Sequence, residues 1–213
     1  LRFMDLSWWR TASAKRKRIY TVVFFLILAI LATVAGTFVP LSAEEAEMIA
    51  SQVNSTITEN PDIASLTGAI FVNNFSICLL LFIPIVGPIL GVAILFTTGT
   101  ALSAISMSQV PPIPTWFSFV ALVITPIFWL EFIAYSFAMA QSIWLFRRLM
   151  QRRWRELKWT AISIGIVAAM LAIGAVVDAW RSVGPVHGPS PRFGRSSRYY
   201  LPAASPGNTV RVV

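Results

Sequence analysis

Glu131 lies in TPIFWLEFIAYSFAMAQSIW, residues 125–144, as the one acid of a stretch otherwise apolar enough to span a bilayer. A carboxyl group in that setting can do one of two things. It can take hydrogen bonds and lock helices together, or it can hold a proton or cation on a permeation path. Other groups able to do chemistry are sparse. Cys78, the sole cysteine, sits in an apolar run, and His187, the sole histidine, sits in a Gly/Pro-rich tail. No Ser-His-Asp triad, Cys-His pair or Cys/His metal set can be assembled from them, and no intramolecular disulfide can form. The sequence therefore predicts no enzyme, no cofactor and no metal.

The elements that must position Glu131 are membrane spans. Of 213 residues, 56% are hydrophobic and the mean hydropathy is +0.71, above the roughly 45–50% apolar content of soluble domains. All 17 Lys and Arg fall in residues 2–18, 147–158 and 181–211, and none lies between Ile19 and Phe146. The net charge of +8 thus belongs to flanks and tail, where it faces anionic lipids at segments 10–18 and 147–158 rather than nucleic acid.

An interfacial, aromatic and basic segment, 1–18, precedes a first span of about residues 20–39, read as retained and not as a cleaved signal. The following stretch holds Glu44, Glu45, Glu47, Glu59 and Asp62 and no basic residue, which places it outside. Ser42 and Glu45 have capping-box spacing. Asn60-Pro61 reads as an N-cap followed by proline at the first helical position. The apolar run from Ile70 to Ser106 holds two spans divided at PIVGP, residues 84–88. The run 115–146 is too long for one span and breaks at Pro126, and a fifth span covers about 159–177. The expected fold is an all-α membrane protein of about five transmembrane helices in a domain at 19–180. Both basic clusters, and with them the N-terminus, are then cytoplasmic and the C-terminus is outside. Residues 181–213 form an extended Gly/Pro/Arg-rich arm.

At about 1.5 Å per residue Glu131 lies some 24 Å from Arg147, in the outer leaflet, at a depth comparable to Asn73 and Asn74. Ala134, Tyr135, Ala138, Gln141 and Ser142 share its helix face and are expected to meet protein, with Phe132, Ile133 and Phe137 turned elsewhere. The candidate cluster is Glu131, Asn73, Asn74 and the backbone groups freed at Pro126, with no second acid beside it and Asp178 read as interfacial. Gly87 and Gly91 mark a bend or a close helix approach. Thr97, Thr98 and Thr100 can satisfy their hydroxyls on their own helix, and Trp144, Trp154 and Trp159 anchor the interface. Asn54-Ser55-Thr56 is a glycosylation sequon. Arg192, Arg195, Arg198, Tyr199 and Tyr200 equip the tail to contact a partner subunit.

The segments IFVNNFSICLLLFIPIVGPILGVAILFTTGTALSA (70–104) and ITPIFWLEFIAYSFAMAQS (124–142) resemble the stage II sporulation protein M family of integral membrane proteins. Such proteins carry an Asn-containing helix, a glycine turn and a Pro-His-Gly motif leading to a glutamate. Pro126 and Glu131 keep that interval, while Ile127 and Phe128 stand in place of His and Gly. The resemblance covers roughly residues 20–180. It implies a five-span helical scaffold, the family's role in spore formers being to hold peptidoglycan-degrading enzymes. The residues on their own imply a non-catalytic accessory or scaffold subunit among other membrane subunits, or alternatively a small permease or channel component using Glu131.

Overall fold

The computed structural model describes residues 13–60, 62–152 and 157–183. Seven helices and no strand occur among them. The expected interfacial segment up to residue 12 and the arm from 184 onward, with Arg192, Arg195, Arg198, Tyr199 and Tyr200, lie outside the described residues, as does Trp154.

Helix α1, Ala14–Gly36, starts on Ser13, whose hydroxyl accepts from the Arg16 amide. The basic cluster Lys15–Arg18 is therefore already part of the first spanning helix. Helix α2, Ala43–Glu59, opens with the expected box: Ser42 N–H donates to the Glu45 carboxylate at 2.8 Å and the Glu45 amide donates to the Ser42 hydroxyl at 3.3 Å. Helix α3, Ile63–Leu81, corrects the expected cap. Asn60 ends α2, and Asp62 caps α3 by accepting from the Ala64 and Ser65 amides, each at 3.0 Å. An ionised carboxylate answers a helix N-terminus better than a neutral amide two residues earlier.

Helix α4, Val86–Ser108, follows α3 through a turn at 82–85, so the PIVGP segment divides two spans as expected. The turn is tight. Ile85 adopts φ 67°, and the Val86 amide donates to the Pro84 carbonyl at 2.7 Å, a three-residue γ-turn with a β-branched residue at its centre. Helix α5, Thr115–Ile124, buries no residue, and α6, Pro126–Met150, leaves it at 84°. Proline at the first position of α6 is tolerated because that amide has no helical partner anyway. Helix α7, Leu157–Val183, completes the described chain.

Helices α1, α3, α4 and α7 are each long and apolar enough to cross a membrane, and the bent pair α5–α6 can supply a fifth crossing. The outward surface is apolar: Phe24, Leu31, Ile89, Trp116 and Ile173 are all more than half exposed. The interior holds small and polar side chains such as Thr33, Ser103, Ser136 and Ser142. That distribution is unsuited to water and fits a multi-pass membrane protein.

Helix α6 is the axis of the bundle, packed on by α1, α3, α4 and α7. Phe128, Phe132, Ala134, Tyr135, Ala138, Met139 and Ser142 are all buried along it. The face through Ala134, Tyr135, Ala138, Gln141 and Ser142 meets protein as expected; Phe132 is buried too, because α6 has neighbours on nearly every side.

At four-residue steps along one buried face helix α4 carries Gly87, Gly91, Leu95, Gly99 and Ser103, small at every step but Leu95. A Cβ on Gly99 would strike the Thr33 carbonyl of α1, and one on Gly36 of α1 would strike the Phe96 carbonyl of α4. Each helix therefore brings glycine to the other's backbone, and the Thr100 hydroxyl bridges to the Gly36 carbonyl at 3.2 Å. Of the two glycines noticed in sequence, Gly87 abuts the Leu81 carbonyl in the turn, while Gly91 admits the Met139 side chain of α6. One serves the bend and the other the close approach.

The bundle has two electrically distinct ends. The Ser142 hydroxyl donates to the Ile83 carbonyl, and Arg18 lies over the Trp144 ring. The start of α1, the α3–α4 turn and the end of α6 thus share one end with Arg147, Arg148 and Arg152. Glu44, Glu45, Glu47, Glu59, Asp62 and Asp178 gather toward the other.

Candidate functional site

Glu131 stands in the second turn of α6, after the break at Pro126. The break satisfies its own backbone. The Thr125 hydroxyl accepts from the Phe128 amide at 3.4 Å and donates to the Leu122 carbonyl at 2.7 Å, and the Trp129 indole donates to the Val123 carbonyl at 3.0 Å. Pro126 sets the direction of α6 but takes no part in the polar cluster. Glu131 is consequently free to bond elsewhere, and Asn74 of α3 donates its amide to Oε1 at 2.7 Å. Asn73 donates in turn to the Asn74 side-chain oxygen at 3.2 Å. The three residues form a chain of amide, amide and carboxyl running from the outer surface of α3 into the α3–α6 contact.

One turn further along the same contact, the Cys78 thiol points to the Ala134 carbonyl at 3.9 Å. Asn74 and Cys78 are four residues apart and so lie on one face of α3, which makes them successive polar links between the same two helices. Tyr135, four residues after Glu131, is buried in electrostatic contact with it.

Asp178 corrects the expectation that Glu131 stands without a second acid. Helix α7 packs on both α3 and α6, and this brings the Asp178 carboxyl within electrostatic range of Glu131, with Arg181 one turn beyond. Glu131, Asp178, Asn74 and Tyr135 thus place polar groups of three helices in one region, where the Asn74–Glu131 bond joins α3 to α6. Among the described residues no group of three or more His, Cys, Asp and Glu could hold a metal ion.

Ile127 and Phe128, where the resemblance would have His and Gly, are core residues. Phe128 is 1% exposed, stacks on Phe132 with ring centroids 4.0 Å apart, and meets Phe119 edge-on. These positions can pack but cannot transfer a proton. Thr97 and Thr98 donate to the Ile94 carbonyl of their own helix, as expected. Asn54 is exposed on α2 and its carbonyl accepts from Thr58.

A cavity of about 480 Å³ lies elsewhere, among α1, α6 and α7 toward the basic end, and neither Glu131 nor Asn74 lines it. Outside the spans, two carboxyls are held below the usual carboxylate range. The Ser42 backbone and hydroxyl do this for Glu45, and the Ser65 hydroxyl and amide do it for Asp62. Both act as helix caps. Comparison of the chain with protein-family models, with characterised proteins and with solved structures finds no match.

Proposed function

We propose that the chain is a non-catalytic accessory or scaffold subunit of a larger complex in the cell membrane, with α1 starting on the cytoplasmic side. The observation that carries this reading is the 2.7 Å bond from Asn74 to Glu131 inside the α3–α6 contact, away from the cavity. A carboxyl spent on holding two helices in register is a structural part, directional though modest at about 1–2 kcal/mol or less. The glycine-to-backbone contacts of α1 with α4 support the same reading, since they suit a body of fixed shape. The resemblance to the stage II sporulation protein M family points to a scaffold as well, without the Pro-His-Gly chemistry. Orientation follows from the basic end: Ser51→Cys should label from outside and Gln151→Cys should not.

The test is purification of the full chain from its membrane in mild detergent. A stoichiometric membrane partner is expected, released when residues 185–213 are deleted. A self-contained oligomer that conducts protons or cations in liposomes would overturn the proposal. It would favour a second reading, a small permease component, which the approach of Asp178 to Glu131 supports because paired intramembrane carboxyls suit cation or proton passage.

A further inference from the structure

The cavity of about 480 Å³ is of the size that holds a small-molecule ligand, and its walls are graded. Helices α1 and α7 both pack on α6 without packing appreciably on each other, so α6 is the floor of a cleft between them. The cleft opens sideways. Ile162 and Ile166 on its α7 wall are about half exposed, and Ile19 on its α1 wall is more so. Along α6 and α7 the lining spans eight residues each, from Phe137 to Trp144 and from Trp159 to Ile166, a length of roughly 10 Å parallel to the helices. A lateral, apolar slot of that length admits a hydrocarbon chain from the surrounding bilayer.

Of its polar groups, the Ser163 hydroxyl already donates to the Trp159 carbonyl at 2.8 Å, while two others have donors in need of an acceptor. Gln141 is 8% exposed and lines the cavity, yet its amide makes no hydrogen bond to another described residue. The Trp144 indole N–H is buried and lacks a partner. A buried N–H such as that of Trp144 is normally satisfied, and with the Gln141 amide facing the same cavity, one ligand placed there can satisfy both. At the mouth, the Arg18 guanidinium stands 5.7 Å from the Trp144 ring centroid, and Arg147 stands at the same distance. Lys15, Lys17 and Arg152 lie toward the same end, with no acid among the described residues of that end.

We infer that this cleft is a binding site for one anionic glycerophospholipid. Its phosphate lies against Arg18 and Arg147, its ester carbonyls accept from the Trp144 indole and the Gln141 amide, and an acyl chain runs between Ile162 and Ile166. The order of the groups carries the assignment: cations at the mouth, neutral donors one turn deeper, then hydrocarbon. That sequence is the order of a phospholipid from headgroup to chain. A hydrophobic helix from a partner would leave both donors unsatisfied, which argues against a polypeptide occupant. The inference does not depend on the scaffold reading, because it concerns a different face of the bundle.

The experiment is native mass spectrometry of the full chain, delipidated in detergent and titrated with phosphatidylglycerol or with phosphatidylcholine. One phosphatidylglycerol is expected to bind at saturation, with at least tenfold preference over phosphatidylcholine. Ser163→Phe, which fills the cleft from α7, and Gln141→Leu should each weaken that adduct tenfold or more. The double variant Lys15→Gln/Lys17→Gln removes charge outside the cleft and should leave it within twofold. Thermal melting and gel filtration identify any variant that has failed to fold, and Arg18→Gln then serves as the replacement. Equal binding of the two lipids, or equal loss in the lysine variant, would mean diffuse attraction and overturn the site. A photo-crosslinker at Val23 that captures a polypeptide and no lipid would overturn it too.

Discussion

Adding one methyl group at Gly99 tests the packing on which the bundle depends. Its Cβ would fall on the Thr33 carbonyl, a backbone atom inside α1 that cannot rotate away, with the Gly36 Cα also in contact. Helices α1 and α4 must then separate, and overpacking of this kind costs about 1–3 kcal/mol. Separation also strains the Thr100 bond to the Gly36 carbonyl, adding some tenths of a kcal/mol at membrane values. At about 2–4 °C per kcal/mol for a chain of this size, Gly99→Ala should lower the melting temperature by roughly 3–14 °C. Gly165 and Gly174 of α7 have open space where a Cβ would go. Alanine there should be neutral or stabilising by up to about 1 kcal/mol, through helix propensity alone. Gly36→Ala and Gly99→Ala relieve themselves by the same separation, so their costs should combine to less than the sum. Fluorescence-detected melting of the purified chain in one detergent measures the four single variants and the double. If Gly99→Ala melts with the wild type, or no lower than Gly174→Ala, then α1 and α4 do not meet through these glycines.

At the polar cluster, Glu131→Gln keeps an oxygen for the Asn74 amide and should melt within about 0.5 kcal/mol of the wild type, whereas Glu131→Ala leaves that donor unpaired and should cost about 1–2 kcal/mol. Ile85→Gly should raise the melting temperature, since the positive φ stores about 1–3 kcal/mol in a β-branched residue; an unchanged or lower value would mean the turn is not strained. The caps of α2 and α3 should respond to acid. Because the Glu45 and Asp62 carboxyls lie below their ordinary values in the folded chain, their stabilisation is present above the unfolded values. It is lost as pH falls below about 4. Hydrogen exchange at the Ala64 and Ser65 amides should accelerate there, and Asp62→Asn should remove the pH dependence while keeping much of the cap.

Much of this organisation was legible because local chemistry fixed it. Ser42 and Glu45 cap each other whatever surrounds them, and Pro126 must end one helix and begin the next. The face of α6 through Ala134, Tyr135, Ala138, Gln141 and Ser142 could be drawn from helical periodicity alone. The α3 cap was misplaced because Asn60-Pro61 carries a start signal of its own, and Asp62 prevails through its charge. The α1–α4 contact was missed for a different reason. Gly36 and Gly99 are far apart in sequence, and neither is unusual until two helices are laid against each other. The available signal is the four-residue ladder Gly87, Gly91, Leu95, Gly99 and Ser103, small at every step but one, which extends well past the Gly87–Gly91 pair.

Asp178 shows where one helix read alone is insufficient. Near the end of an apolar run, an acid is most simply placed at the interface. Yet Val167, Leu171, Ala175 and Ala179 of α7 are all buried, a stripe with which α7 meets α3 and α6. Asp178 is seven residues from Leu171, and a seven-residue step returns to within about 20° of the same direction. Its side chain therefore leaves α7 toward the helices that carry Asn74 and Glu131, which puts the two acids within electrostatic range of each other. Once α7 is committed to that stripe, moving Asp178 away from Glu131 would require rotating Leu171 out of the core. The approach of two carboxyls is thus imposed by packing, and Asn74 donates to the one that packing holds against α3.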